Sequence, residues 1–312
     1  MPDVPIWSEC NINCVFCSNP VEGFRGTNER YTYEAFREKW RLYLDGKASF
    51  LKFNAVDDFL SMTGGEPTLN PGFLKILGLV RKTWPRKPIK LLTNARMLSY
   101  PDFAKTVLAL GGPDFELKVP FFGYDEKTYS AISRAPGAFA EARAGLHNIF
   151  KYRSPGQRVT IRIILHKIQL RWLKELLDFL HSEFPGIGAV EFLYVEYEGF
   201  AEKNLKALAV PITECGALLG KLEPALLKFP EYHLLHFPLC ALPRKLWHRA
   251  WRTLDPIKIV HAPQCGKCSA RELCVGIHRT YAINLGVTEF KPVKSLAGVK
   301  RSRDPYRPVQ SA

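Results

Sequence analysis

No run of apolar residues in this 312-residue sequence approaches the roughly 18 that a helical membrane span requires. Its first ten residues, MPDVPIWSEC, have neither the basic nor the apolar stretch of a secretion signal. The expectation is a cytoplasmic protein in a reducing compartment, with no membrane partner. Acidic residues are in short supply: 30 Asp and Glu face 44 Lys and Arg, a formal net charge of +14. No continuous basic helix with interleaved aromatics accompanies the excess. It favours an acidic partner, nucleic acid or acidic peptide, or it is a solvated basic surface. What is present is ordinary for a globular chain: 46% hydrophobic and 24% charged residues, enough to bury a substantial core.

Eight cysteines stand at 10, 14, 17, 215, 240, 265, 268 and 274. Disulfide frameworks belong to secreted chains, so in a long chain without a secretion signal these read as metal ligands. One group lies near each end, with Cys215 and Cys240 between them, which is the layout of two metal centres. Cys10, Cys14 and Cys17 fall within eight residues. Three thiolates cannot close a four-ligand zinc shell. Holding an iron–sulfur cube, they would leave one iron open to another ligand. A zinc knuckle that borrows a distant ligand, or a chance cluster, is the alternative.

Along the chain, strand-like and helical patterns alternate. Strands are expected at 4–8, 59–62, 89–93, 115–119, 159–165 and 190–195. Helices are expected from Tyr33 to Gly46, from an Asn70 N-cap and Pro71 to about Trp84, and over 102–110, 138–152 and 171–184. Six strands spaced by helices imply βαβ units and a parallel sheet, with site residues at the C-terminal strand ends. The first such end carries the cysteine triplet. The second carries Thr63-Gly64-Gly65-Glu66-Pro67, whose paired glycines let backbone approach a ligand and whose Glu66 can receive an ammonium group. Regular alternation stops near Gly199. A helix over 217–227 should be split by Pro224, with Cys215 just before it.

Cys10-x3-Cys14-x2-Cys17 with Phe16 before the last cysteine, followed by Gly64-Gly65-Glu66, resembles the radical S-adenosylmethionine (SAM) superfamily. The resemblance implies an α/β fold, a partial (β/α)6 TIM-like barrel. It implies a [4Fe–4S] cluster on Cys10, Cys14 and Cys17 whose open iron chelates SAM. It implies reductive cleavage of SAM to a 5′-deoxyadenosyl radical that abstracts a substrate hydrogen. Gly64, Gly65 and Glu66 would hold the methionyl amino group, Phe16 would lie against the adenosine with Asn94 nearby, and Arg134 or Arg162 would meet the carboxylate. Tyr194 and Val195 stand where the family contacts adenine. The serine that many members carry after the fourth strand is missing from Val119-Pro120-Phe121-Phe122-Gly123. An electron donor such as flavodoxin or ferredoxin is implied.

Cys265-x2-Cys268-x5-Cys274, with Cys240 upstream, resembles the auxiliary-cluster motif of SPASM and twitch domains. Full SPASM domains carry seven cysteines, so four here imply one auxiliary [4Fe–4S] cluster; zinc suits the same ligands. His261 and His278 are alternative ligands. Expected domains are a core barrel over 1–205, a twitch-like region over 206–290 and a basic tail over 291–312 that is disordered or folds over the barrel mouth. The twitch resemblance favours a peptide or protein substrate. A small-molecule or nucleotide-derived substrate and tRNA are alternatives, and a non-catalytic zinc-binding nucleic-acid adaptor is the reading from another class. Glu191, Glu196, Lys118 and Cys215 are all compatible with a substrate-facing role.

Overall fold

A computed structural model describes residues 2–18, 28–52 and 59–310. Among the described residues nine strands form one sheet: β1 (Pro2–Trp7), β2 (Leu51–Lys52), β3 (Leu60–Gly64), β4 (Ile89–Leu92), β5 (Phe115–Pro120), β6 (Arg158–Leu165), β7 (Ala189–Tyr194), β8 (Tyr232–Leu235) and β9 (Ala250–Trp251). Their spatial order is β2-β1-β3-β4-β5-β6-β7-β8-β9. β2 is antiparallel to β1, and the other eight strands run parallel. Strands that follow chain order, with β2 and β9 left as edges, give an open TIM-like barrel.

Strand alternation explains the barrel's two faces. Leu60, Met62, Leu91, Leu117, Ile161 and Phe192 are buried in the core. The intervening Ser61, Lys90, Lys118, Arg162 and Glu191 line a cavity inside the barrel. The core face is covered by helices α1 (Tyr33–Leu44), α2 (Phe73–Thr83), α3 (Pro101–Gly111), α4 (Glu126–Ser133), α5 (Ala138–Tyr152) and α6 (Leu173–Glu183). Thr32 caps α1 by accepting from the Ala35 N–H at 3.2 Å. Trp40 of that helix is buried, and its indole N–H donates to Thr83 of α2 at 3.0 Å.

The structure departs from the sequence reading in four places. Eight parallel strands replace six, because β8 and β9 are too short to show a period-2 pattern. α4 was hidden by its eight-residue length, although Asp125 and Thr128 form a capping box at its start. Asn70 is not the cap of α2, which begins at Phe73 behind Gly72. Instead its side-chain N–H2 donates to the Ile6 and Tyr31 carbonyls, each at 2.7 Å, tying β1 to the segment before α1. Beyond two short helices, Phe200–Lys203 and Leu205–Leu208, helix α7 (Ile212–Lys221) contains Cys215 rather than following it; Pro224 lies in a separate short helix, Glu223–Leu226, the split the sequence predicts.

The tail over 291–310 is folded rather than disordered. Ser269 N–H donates to the Val293 carbonyl at 2.9 Å, Arg252 N–H to the Tyr306 carbonyl at 2.8 Å, and Arg301 bridges Val309. Tyr306 lines the barrel cavity. A two-stranded ribbon, β10 (Ile259–Val260) with β11 (Ile277–His278), leads into α8 (Arg279–Leu285) beside it. Among the described residues no helix is long and apolar enough to cross a membrane.

Candidate active site

Cys10, Cys14 and Cys17 sit on the loop that leaves the C-terminal end of β1. Cys14 is buried, and Cys10 and Cys17 are partly so. Burial is the main cause that pushes the Cys10 thiol up to about 12, and burial with the neighbouring Cys10 and Cys17 sulfurs pushes Cys14 well above its usual range. Two thiols that resist ionisation alone, with a third on the same loop, suit a polynuclear cationic centre that would hold all three as thiolates. The Asn94 amide approaches Cys10 Sγ at 3.8 Å and donates to Asn11 Oδ1 at 2.7 Å.

Gly64-Gly65-Glu66 is bonded to this loop directly. Gly65 N–H donates to the Trp7 carbonyl at 2.8 Å and Glu66 N–H to the Glu9 carbonyl at 2.7 Å. A β-carbon on Gly64 would overlap the Trp7 carbonyl oxygen, and one on Gly65 the Glu9 carbonyl oxygen. Gly64 also has a φ of 136°. The close approach of neighbouring backbone thus itself requires glycine at both positions. Glu66 is buried. Its Oε1 accepts from Thr68 N–H at 3.1 Å, Thr68 Oγ1 at 2.6 Å and Thr93 Oγ1 at 2.7 Å, and its Oε2 accepts from Asn94 N–H at 2.7 Å. Burial raises its pKa while these bonds pull the other way. The carboxylate clamps the ends of β3 and β4 together, and by lone-pair count Oε2 keeps one acceptor site.

A cavity of about 500 Å³ runs from this loop into the barrel. Phe16, Cys17 and Ser18 form its rim, with Phe16 packed on Phe122 and His166. On the floor Glu191 takes Lys118 Nζ at 2.5 Å and Arg162 at 2.6 Å. Burial would raise the Glu191 pKa, but those two cations hold it far below the usual carboxylate range. Arg162 therefore faces the cavity already committed to Glu191.

Two candidate residues lie away from the cavity. Tyr194 does not face the cavity: it points to the opposite side of β7, and its hydroxyl meets Tyr197 Oη at 2.9 Å and donates to the Val210 carbonyl at 2.5 Å. Its neighbours Leu193 and Val195 line the cavity instead, as strand alternation requires. Cys215 is fully buried and lines neither that cavity nor the C-terminal cysteine pocket.

In the C-terminal region Cys240, Cys265, Cys268 and Cys274 line one small pocket with His261. Backbone N–H groups of Leu239 and Gly276 donate to Cys274 Sγ at 3.4 Å, and that of Val293 to Cys268 Sγ at 3.3 Å. Burial and the other three sulfurs push Cys240 up to about 12. Among the described residues one trio of His, Cys, Asp or Glu has all its ligand atoms within 4.8 Å, namely Glu196, Glu198 and His278; no three cysteine sulfurs come that close. His278 thus meets the two glutamates and does not line the cysteine pocket. That gathering joins residues up to 82 positions apart, and its members carry no sequence pattern that would have revealed it.

The family model for the radical SAM superfamily matches residues 4–180. A curated relative, the PqqA peptide cyclase of Gluconobacter oxydans (strain 621H), is 25% identical over 199 residues, which cover 64% of this chain and 50% of the relative. The chain thus spans about half the length of the curated relative it matches. Among solved structures, Streptococcus suis SuiB bound to S-adenosylmethionine superposes with a TM-score of 0.57 at 15% identity, covering 78% of this chain and 52% of that one. Another Streptococcus suis SuiB structure gives 0.50 at 14% identity, covering 74% and 49%. At such identities these likenesses speak for the fold. The family match covers more than half the chain, including the cysteine triplet and Gly64-Gly65-Glu66, and the chain belongs to the radical SAM superfamily.

Proposed function

We propose that this protein is a radical SAM enzyme that modifies a peptide or protein. The observation that carries the reading is the direct bonding of Gly65 and Glu66 to the loop of Cys10, Cys14 and Cys17 at the rim of a deep cavity. Cys10, Cys14 and Cys17 would hold the catalytic [4Fe–4S] cluster. With cluster and SAM bound, the chemistry supplied is reductive cleavage of SAM to a 5′-deoxyadenosyl radical that takes a hydrogen atom from substrate.

Each part of the chain then has a task. The Gly64-Gly65-Glu66 turn would hold the aminoacyl end of SAM, Phe16 would pack against the adenosine, and Asn94 would orient Cys10. The barrel walls would exclude water from the radical. An external reductant of the flavodoxin or ferredoxin class would supply the electron. The peptide substrate is supported by the similarity to the PqqA peptide cyclase.

Cys240, Cys265, Cys268 and Cys274 would hold a second [4Fe–4S] cluster in a twitch-like region. Their spread supports this over zinc: tetrahedral thiolates on one zinc ion, with bonds of about 2.3 Å, stand only about 3.8 Å apart. The N–H donors aimed at Cys268 and Cys274 are also of the kind that tune iron–sulfur centres.

Anaerobic reconstitution tests both sites. Iron and sulfide near eight each, falling to near four in a Cys10/Cys14/Cys17→Ala variant that no longer forms 5′-deoxyadenosine, is the expected result. Zinc without sulfide, or undiminished cleavage in the variant, would refute it.

A further inference from the structure

A cluster of polar and charged groups that neither cysteine site uses reaches the cavity wall. Glu196 and Glu198 follow β7, His236 follows β8, Lys258 precedes β10 and His278 ends β11. Lys258 Nζ donates to Glu196 Oε2 at 2.8 Å and to Glu198 Oε2 at 3.0 Å. His278 Nε2 stands 3.3 Å from Glu196 Oε2 and 3.7 Å from Glu198 Oε1, and His236 Nδ1 stands 3.5 Å from Glu196 Oε1. Neither imidazole nitrogen has a hydrogen-bond partner, although His278 and His236 are only 4% and 6% exposed. His236 also has a φ of 69°, a left-handed conformation that a side chain disfavours and that persists only where its surroundings impose it.

The charges do not balance. Two carboxylates face one ammonium, and burial drives the His236 pKa down to about 4, so that ring adds no charge at neutral pH. Glu196, Glu198 and Lys258 together carry one net negative charge in a partly buried setting, which is costly unless met by a cation. Glu196, His236 and Lys258 all line the cavity, so that cation can arrive from the substrate side.

We propose that this wall is a subsite for a cationic group of the substrate, a primary ammonium or guanidinium such as a lysyl, arginyl or N-terminal residue of a peptide carries. The proposal rests on the peptide reading above. Lys258 demonstrates that the paired carboxylates accept an alkylammonium. One further monovalent group on the cavity side balances the charge of Glu196, Glu198 and Lys258. A divalent ion has the right donor atoms but, with Lys258 seated, overshoots to a positive charge.

The test uses n-butylammonium and its uncharged counterpart n-butanol as probes. They are titrated into the SAM-bound, cluster-reconstituted protein while the His236 and His278 ring resonances are followed by NMR. A saturable shift with butylammonium alone is expected. It should be lost in Glu196→Gln, or in Glu198→Gln if the first variant fails to fold. Its midpoint should tighten about tenfold in Lys258→Met, where the competing ammonium is gone. An equal response to butanol, no response in either wild type or Lys258→Met, or a shift that survives the glutamate substitution overturns the proposal. Zinc moving these resonances where butylammonium does not would replace it with a metal site. Butylammonium binding in a protein that processes no peptide keeps the subsite and overturns the peptide reading instead.

Discussion

Glu66 donates its backbone N–H to the carbonyl of Glu9 at 2.7 Å, one residue before the first cysteine of the triplet. The turn proposed to hold the aminoacyl end of SAM is therefore bonded through its backbone to the segment that leads into the proposed cluster loop. A displacement of one is a displacement of the other.

Gly65→Ala tests this coupling. The new methyl would overlap the Glu9 carbonyl, and overpacking of this kind costs roughly 1–3 kcal/mol. Denaturant unfolding should show that loss. Iron retained after reconstitution should fall at the N-terminal site, while iron at the proposed C-terminal site persists. Full iron content in the variant would uncouple the two segments.

Thr93→Val removes one of the bonds to the buried Glu66 carboxylate. Hydrogen bonds to charged groups contribute about 1.5–3 kcal/mol, so a stability loss in that range is expected by chemical denaturation. SAM affinity should weaken with it, because the clamp between β3 and β4 loosens. Unchanged stability would mean that the remaining donors hold Glu66 without help.

Glu191 gives a pH dependence. Lys118 and Arg162 overcome burial and hold its folded pKa below the usual 4.5. The linked stabilisation is complete above the unfolded value and is lost as pH falls toward the folded one. Glu191→Gln should flatten the acid limb of the stability profile. At neutral pH it should cost roughly 3–5 kcal/mol, because Lys118 is left buried without its partner. An acid limb as steep as that of the wild type would shift the effect to other carboxylates.

Tyr194→Phe separates core from cofactor site. The hydroxyl bonds to Tyr197 and the Val210 carbonyl, so the variant should lose about 0.5–1.5 kcal/mol of stability. SAM binding should be unchanged, since the ring faces away from the cavity. A weakened SAM affinity at unchanged stability would return Tyr194 to the site.

Cys268→Ser addresses the proposed C-terminal centre. Loss of about four irons with the N-terminal cluster and SAM binding intact is expected by metal analysis and calorimetry. Loss of all iron would make the two centres interdependent.

The sequence by itself determined the parts that depend on neighbours along the chain. The spacing of Cys10, Cys14 and Cys17, the Gly-Gly-Glu turn, the cysteines at 265, 268 and 274 and the alternation of strand and helix through residue 195 are local patterns. A short peptide geometry fixes what each can do. The tertiary structure alone decided the rest. β8 and β9 are strands because seven others offer them an edge, not because four or two residues carry a period. Tyr194 and Val195 are adjacent in sequence, and only the direction of the barrel's curl puts one in the core and the other in the cavity. Gly65 is a glycine on account of Glu9, which lies 56 positions earlier. Glu196, His236, Lys258 and His278 meet because the chain crosses the barrel mouth repeatedly, and no local pattern encodes which distant side chains close up around a shared charge.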